Sequence, residues 1–405
     1  MMPFEGRRLL ILGAGHYQVP VIRLARALGC HVITLDYLAG NPGHALADEH
    51  HIVSTVDKEA VLDVARAARI DGVLTYGSDV SAPTVAFVAE AMGLPGNPAP
   101  ICAALQHKHL FREFQRSAGL PHPAFVTADT GPDLLRRIAG AVPMPVVVKP
   151  ADSSGSKGQT ITSDEGEILA AFERAQAFSR CGVVLAEQFL PGDTLELVGE
   201  VFIQRGRLAA RQYGHNYFLD VPGAPRARVP VGELVPSILP AAIEDELDRQ
   251  FERLIDAAGL RTGCLNFDGV LSGGRVYVLD LGIRNGGNYL DDLIALSTGL
   301  DFTAAAIHAA LGVDYAPGPA RADPTAAISY IINSPAAGVF AGVEIDPALH
   351  SDVHRLEVFA APGDRIEPYD RGDRGLGIVL LTQPGRDAAL ALLPRLPDLV
   401  VVRQR

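Results

Sequence analysis

The first hundred residues exchange two hydrophobic periods in a regular order. Residues 8–15 (RLLILGAG) run apolar into a glycine turn, 17–29 repeat apolar positions at helical spacing, and 30–36 (CHVITLD) are again strand-like. The exchange recurs with a helical stretch at 58–70, a strand and turn at 71–79 and a helix at 85–94. Strands alternating with helices predict a parallel α/β sheet, and such sheets bind ligands at the carboxyl ends of their strands. The expected mouth combines Gly13, Ala14, Gly15 and His16 from one turn with Tyr76, Gly77, Ser78 and Asp79 from another.

Beyond the proline-rich break at 95–100 the pattern changes. A helix is expected in 104–125, closed by Gly119 and Pro121, then a helix at 132–140, a strand at 146–149, a helix at 165–178 and a strand at 183–190. A long helix at 241–260 precedes two strands, 264–271 and 275–282, and from about residue 325 short strands and turns end in a late helix at 386–396.

Two stretches carry chemistry. Three valines lead into Lys149, and a lysine ending an apolar run costs desolvation unless an anion meets it. The small residues that follow, Ser153, Ser154, Gly155, Ser156 and Gly158, let backbone N–H groups approach phosphate oxygens closely. A solvated surface hairpin accounts for that stretch alone equally well. Asp268 and Asp280 lie twelve residues apart on consecutive strands joined by a hairpin turn, LSGGR. A hairpin sets them side by side, where two acids repel unless a cation lies between them. Magnesium prefers a few carboxylates completed by phosphate oxygens and water.

Composition narrows the partners. The 405 residues carry a formal net charge of −12 spread along the chain, against a nucleic-acid surface, which needs a basic stripe. Cys30, Cys102, Cys181 and Cys264 are far apart with no CxxC pair, and read as buried fillers in a reducing cytoplasm. The start reads as a first strand, not a signal peptide, and no segment reaches membrane-spanning length.

These pieces, in this order, resemble the ATP-grasp superfamily of carboxylate–amine ligases, and the likeness covers nearly the whole chain. It implies an α/β and α+β architecture: a Rossmann-like domain (1–100), a first ATP-grasp subdomain with a glycine-rich flap (101–182), a second carrying the metal site (183–322), and a β-rich region similar to that of biotin carboxylase (323–405). The segments AISYIINSPAAGVFAGVE and APGDRIEP carry the last likeness, and DLGIRNGGNYLDDLIALSTGLDF resembles short, carbamoyl-phosphate-synthase-like ligases.

The resemblance implies that Lys108 and Lys149 hold the phosphates of ATP beneath a flap at Ser153–Gly158. It matches Glu187, Gln188, Phe189 and Leu190 to the hinge that reads adenine. Thr194 stands where relatives place a ribose acid, which leaves Glu196 favoured for that contact. Lys157 in the flap reads equally as a phosphate contact or a solvent-facing lysine. Asp268 and Asp280 match the acids that hold Mg2+, but Gly282 stands where an asparagine ligand is usual, so Asn285 or a water is expected instead. Arg284 matches the arginine that stabilises the acyl phosphate, making Arg284, Lys149 and Asp280 the expected catalytic residues. The acceptor is expected between Arg284, Gly286 and Gly287 on one side and Gly15, His16, Ser78 and Asp79 on the other. The implied activity is ATP-dependent joining of a small-molecule carboxylate to an amine, by a cytoplasmic homodimer that handles neither nucleic acid nor membrane. Two other classes stand beside it. A non-catalytic binding protein is permitted by Gly282. A dinucleotide oxidoreductase is suggested by LGAGHY and Asp36, although Gln18 replaces the third glycine of the full fingerprint.

Overall fold

The computed structural model describes residues 2–153, 157–220, 228–318 and 320–405. Strands Arg8–Leu12, His31–Asp36, Glu49–Ile52 and Gly72–Thr75 form a wholly parallel sheet in the spatial order third, second, first, fourth. One apolar run feeds two cores. Leu9 and Ile11 pack with helices Val19–Ala27 and Phe302–Ala310, while Leu10 and Leu12 pack with Lys58–Ala68 and Ala82–Met92. Helices on both faces explain why the strand is apolar throughout and does not alternate.

The turn after the first strand serves the protein itself. Gly13 takes φ +103°. Its N–H donates to the Leu35 carbonyl at 2.8 Å, that of Ala14 to Asp36 at 3.0 Å and that of Gly15 to the Gln18 side chain at 2.8 Å. A pyrophosphate would need those amides, and a dinucleotide ribose would need Asp36, which also accepts from Leu38 N–H. The dinucleotide reading fails here, and Gln18 is the residue that fills the place.

Two antiparallel sheets follow. The smaller runs Phe125–Ala128, Val184–Gln188, Val146–Pro150, Thr160–Thr162. The larger has eight strands in the order Arg275–Gly282, Gly263–Ser272, Glu196–Gln204, Arg207–Asp220, Arg228–Val235, Ala326–Ile332, Gly377–Gln383, Val353–Val358. Two expected boundaries move. The division at 182/183 falls ahead of Val184–Gln188, which pairs on both sides within the smaller sheet. The division at 322/323 cuts one continuous sheet, because Arg228–Val235 pairs directly with Ala326–Ile332. Only Arg365–Ile366, Gly338–Ile345 and Val400–Gln404 make a separate three-stranded sheet at the C-terminal end.

The helix expected in 104–125 is two helices, Ala99–Leu105 and Lys108–Ser117, and Lys108 opens the second. Cys30, Cys102 and Cys264 are buried as expected, whereas Cys181 is exposed. Among the described residues no single helix is long and apolar enough to cross a membrane.

Candidate active site

A cavity of about 730 Å³ lies between the smaller and larger sheets, with the N-terminal domain at one end. Its lysine wall follows from strand alternation. Val146 and Val148 turn into the core beneath helices Gly131–Ile138 and Ile168–Gln176, so Pro145, Val147 and Lys149 turn to the cavity. The valine run is thus two-sided, and Lys149 is only 7% exposed. Glu187, on the neighbouring strand, is ion-paired to Lys149 and to the fully buried Arg112, at 2.9 Å for the latter. Arg112 also donates to the Leu279 carbonyl at 2.7 Å and to Gln115 at 2.9 Å, tying this wall to the opposite sheet. The Glu187 side chain therefore holds the lysine in place. Burial works against its charge, but Arg112 and Lys149 outweigh burial and hold the carboxyl below its usual range. Burial depresses the Lys149 ammonium; Glu187 opposes, Arg112 and Lys108 add to the depression, and the net shift is downward.

Lys108 reaches the same cavity and pairs with Asp280 at 2.6 Å. Its backbone N–H donates to the Ala151 carbonyl at 2.7 Å, which fixes the helix start beside the flap stem. Ser153 and Lys157 line the cavity, and Lys157 pairs with Asp373 at 3.4 Å. Ser154, Gly155 and Ser156 lie outside the described residues. Gly158 does not face the cavity. At φ +72° it packs on Phe178, which an added Cβ would approach to 2.9 Å. Gln188, Phe189 and Leu190 line the cavity where the chain crosses between sheets, and Glu196 follows on the first strand of the larger one.

The acid wall is the hairpin. Asp268 and Asp280 are direct cross-strand partners, with a bulge after Asp268. Asp268 accepts from the Asn216 amide at 2.8 Å. Its carboxylate is enclosed by the fold yet open to cavity water; enclosure and then Asp280 push it up, to about 7. Asp280 moves the other way, because Lys108 and Lys149 outweigh its burial.

Gly282 has a steric explanation. A Cβ there would lie 2.8 Å from the guanidinium carbon of Arg284, so the arginine occupies the space an asparagine would need. Asn285 does not substitute for it. It is 2% exposed, and its amide donates to Asp291 at 2.7 Å and to the Phe302 carbonyl at 3.2 Å, turned away from the acids. The residue facing Gly282 in register is Asn266, whose oxygen accepts from Arg284 at 2.8 Å. Of the three expected ligands, Asp268 and Asp280 line the cavity and Asn285 does not.

Arg284 is held in a fork. It pairs with Asp79 at 2.6 Å and donates to the Asn285 carbonyl at 3.0 Å. Asp79 is thus the arginine's internal counter-ion. The bridge between Tyr76 and Asn285, and the Gly77 N–H to the Asn285 carbonyl at 3.1 Å, zip the N-terminal sheet to this loop. Of the other expected acceptor residues, Gly287 lines the cavity. Gly286 is buried, with its N–H donated to Glu200. Ser78 bonds Ser81 at 2.9 Å, Gly15 bonds Gln18, and the exposed His16 ring stacks on Phe359 at 4.4 Å; none of these three lines the cavity.

Asn216, Glu233, Asn266 and Glu200 went unread in the sequence. Glu200 and Glu233 each stand between apolar strand residues, a polar-inside signal that was available, whereas Asn216 and Asn266 lie among other polar residues of their strands. Elsewhere, His107, Asp152 and Cys181 could close on an ion. Both Asp152 oxygens, however, already accept from the backbone N–H groups of Arg180 and Cys181, so the acid caps a turn.

Two sheets clasping a cavity, with Lys149 on one and paired acids on the other, form the ATP-grasp fold, which the chain shares with the solved structures it resembles. It is 30% identical over 190 residues to formate-dependent phosphoribosylglycinamide formyltransferase of Bordetella parapertussis, a match covering 46% of this chain and 47% of that protein. The chain thus spans about half the length of the curated relatives it matches. In structure it is similar to L-amino acid ligase from Bacillus licheniformis, at TM-score 0.81 and 22% identity with 99% of each chain covered. It is also similar to phosphoribosylglycinamide synthetase from Anaerococcus prevotii, at TM-score 0.78 and 20% identity, covering 99% of this chain and all of that one. No family model matches the sequence.

Proposed function

We propose that this chain is an ATP-dependent ligase that joins a small-molecule carboxylate to an amine through an acyl phosphate, releasing ADP and phosphate. One observation carries the reading: Lys108, Lys149, Asp268, Asp280 and Arg284 converge on a single cavity from three separate parts of the fold.

The chemistry follows from the charges. A carboxylate cannot accept an amine at neutral pH because oxide would have to leave. Attack by its oxygen on the γ-phosphate turns that oxygen into part of a good leaving group. The amine then attacks the carbonyl carbon, and phosphate departs with the bonding pair. Phosphoryl transfer needs mainly positioning and charge neutralisation. Lys149 and Lys108 supply positive charge, and the Gln188–Leu190 crossing and Glu196 receive the nucleoside. Asp268 and Asp280 fit a magnesium ion, since Asp268 faces its acidic partner and the Asn216 amide and more distant Arg284 leave its carboxyl pushed up. Bound there, the ion would spread the charge of the transferring phosphoryl group. Arg284 offers rigid donors to the acyl phosphate and to the oxyanion that precedes its collapse.

The names of the sequence relatives make formate the first carboxylate to try. The reading includes a cytoplasmic homodimer that handles neither nucleic acid nor membrane, and light scattering tests the assembly. For the activity, phosphate release from ATP is measured with formate, acetate and the proteinogenic L-amino acids, each crossed with amino acids and glycinamide as amines. Release that requires both partners supports the ligase; release indifferent to both defeats it.

A further inference from the structure

The cavity holds a carboxylate that the phosphoryl chemistry does not use. Glu233 sits on the Arg228–Val235 strand, lines the cavity, and is 6% exposed. Its register partners on the adjoining strands are Asn216 and Ser329. The groups that touch it are neutral and weakly placed: the Asn288 amide at 3.4 Å and the Ser329 hydroxyl at 3.4 Å. Asn288 lies in the same loop, 283–289, as Arg284, and Arg284, Asn288 and Glu233 all line the one cavity. The ionisable groups around it are the phenols of Tyr17 and Tyr369 and the acids Asp268 and Asp291. Among the described residues no lysine or arginine pairs with it. Elsewhere in this cavity Lys149, Lys108 and Arg284 each have an acid, and Glu187 and Asp280 each have a cation.

A buried carboxylate facing a polar cavity without a cation is costly, and a cationic ligand removes that cost. Resting on the ligase reading above, we propose that Glu233 receives the amine substrate as its ammonium and accepts the proton the nitrogen loses on attack. The substrate amine is therefore a primary, protonatable one and not an amide or a weakly basic ring nitrogen. The balance is complete without another reactant. The ammonium gives one proton to Glu233, the freed lone pair forms the C–N bond, the C–O bond to phosphate breaks, and phosphate leaves with that pair and takes the second proton that the nitrogen sheds as the amide forms. Enclosure, with Asp268 and Asp291 adding to it, raises this carboxyl to about 8, which suits a group exchanging a proton with an amine near neutrality.

The test uses Glu233→Gln in the full chain, with the carboxylate and amine that respond in the phosphate-release panel. Hydroxylamine, largely neutral at pH 7, serves as a nucleophile that needs no base. The proposal expects Glu233→Gln to keep its thermal shift with MgATP and most of its hydroxamate formation. Amide formation should fall about 100-fold or more, recovering as pH rises and the free amine becomes available. Glu233→Asp should recover part of the rate with a raised KM for the amine. Equal loss of hydroxamate and amide, or loss of neither, overturns the role of Glu233. Failure of the wild type to give hydroxamate with any carboxylate strikes the ligase reading itself.

Discussion

The two sheets that face each other across the cavity treat their charges in opposite ways. On the smaller sheet Lys149 and Glu187 form a buried chain with Arg112 of the helix Lys108–Ser117, in which each charge has an opposite neighbour. On the larger sheet the hydrogen bonds to Asp268 and Glu233 among the described residues come from amides and a hydroxyl, and both carboxyls are pushed up. The lysine wall is set by the protein's own ion pairs, whereas the acid wall is complementary to cations that arrive. A paired wall should respond to mutation with lost stability and lost binding together. A wall of under-compensated acids should lose function while the apo fold gains.

Four measurements break or sharpen that contrast. The largest effect is expected from Asp280→Asn, which should cut turnover roughly 100-fold or more by removing charge from the transferring phosphoryl group's surroundings. Lys108 loses its partner, so Tm should fall somewhat while circular dichroism still reports a folded protein. Next, Lys149→Met should abolish most of the MgATP-dependent rise in Tm, since a ligand stabilises only as its affinity allows. It should also destabilise the apo protein by about 1–3 kcal/mol, because Glu187 is left with Arg112 alone. Glu187→Gln in the same chain should return part of that stability, as a double-mutant cycle would read.

The third effect is smaller and of opposite sign. The folded-state carboxyl of Glu233 is raised to about 8, so between its unfolded value near 4.5 and about 8 the folded protein holds more protons than the unfolded chain. Its contribution to stability therefore falls as pH rises through that window. Apo Glu233→Gln should match the wild type in Tm near pH 4 and exceed it progressively toward pH 8. A constant difference across the window would mean the carboxyl is compensated after all. The smallest effect belongs to Lys157→Ala. Its pair with Asp373 is partly exposed, and such pairs contribute roughly 0–1 kcal/mol, so Tm should scarcely move.

What could be read in advance follows sequence distance. Asp268 and Asp280 meet across a hairpin, and Lys149 ends a strand whose neighbours declare it, so local spacing carries both. Asp79 and Arg284 meet across 205 residues, and the pairing of Glu233 with Asn216 and Ser329 depends on which strands become neighbours. No local period encodes that. Asn285 shows a different limit. Its position after the metal acid suggested a ligand, but the space beside Gly282 is filled by Arg284, and side-chain volume is decided only by packing. The C-terminal region reads as strands and turns, yet its union with the larger sheet depends on register rather than composition.

The central claim is that a carboxylate oxygen attacks ATP before any amine arrives. Supplying the active carboxylate with both oxygens replaced by the heavy isotope, and weighing the released phosphate, tests it most directly. The account predicts one heavy oxygen in each phosphate formed during amide synthesis. Amide formed together with wholly light phosphate would contradict it.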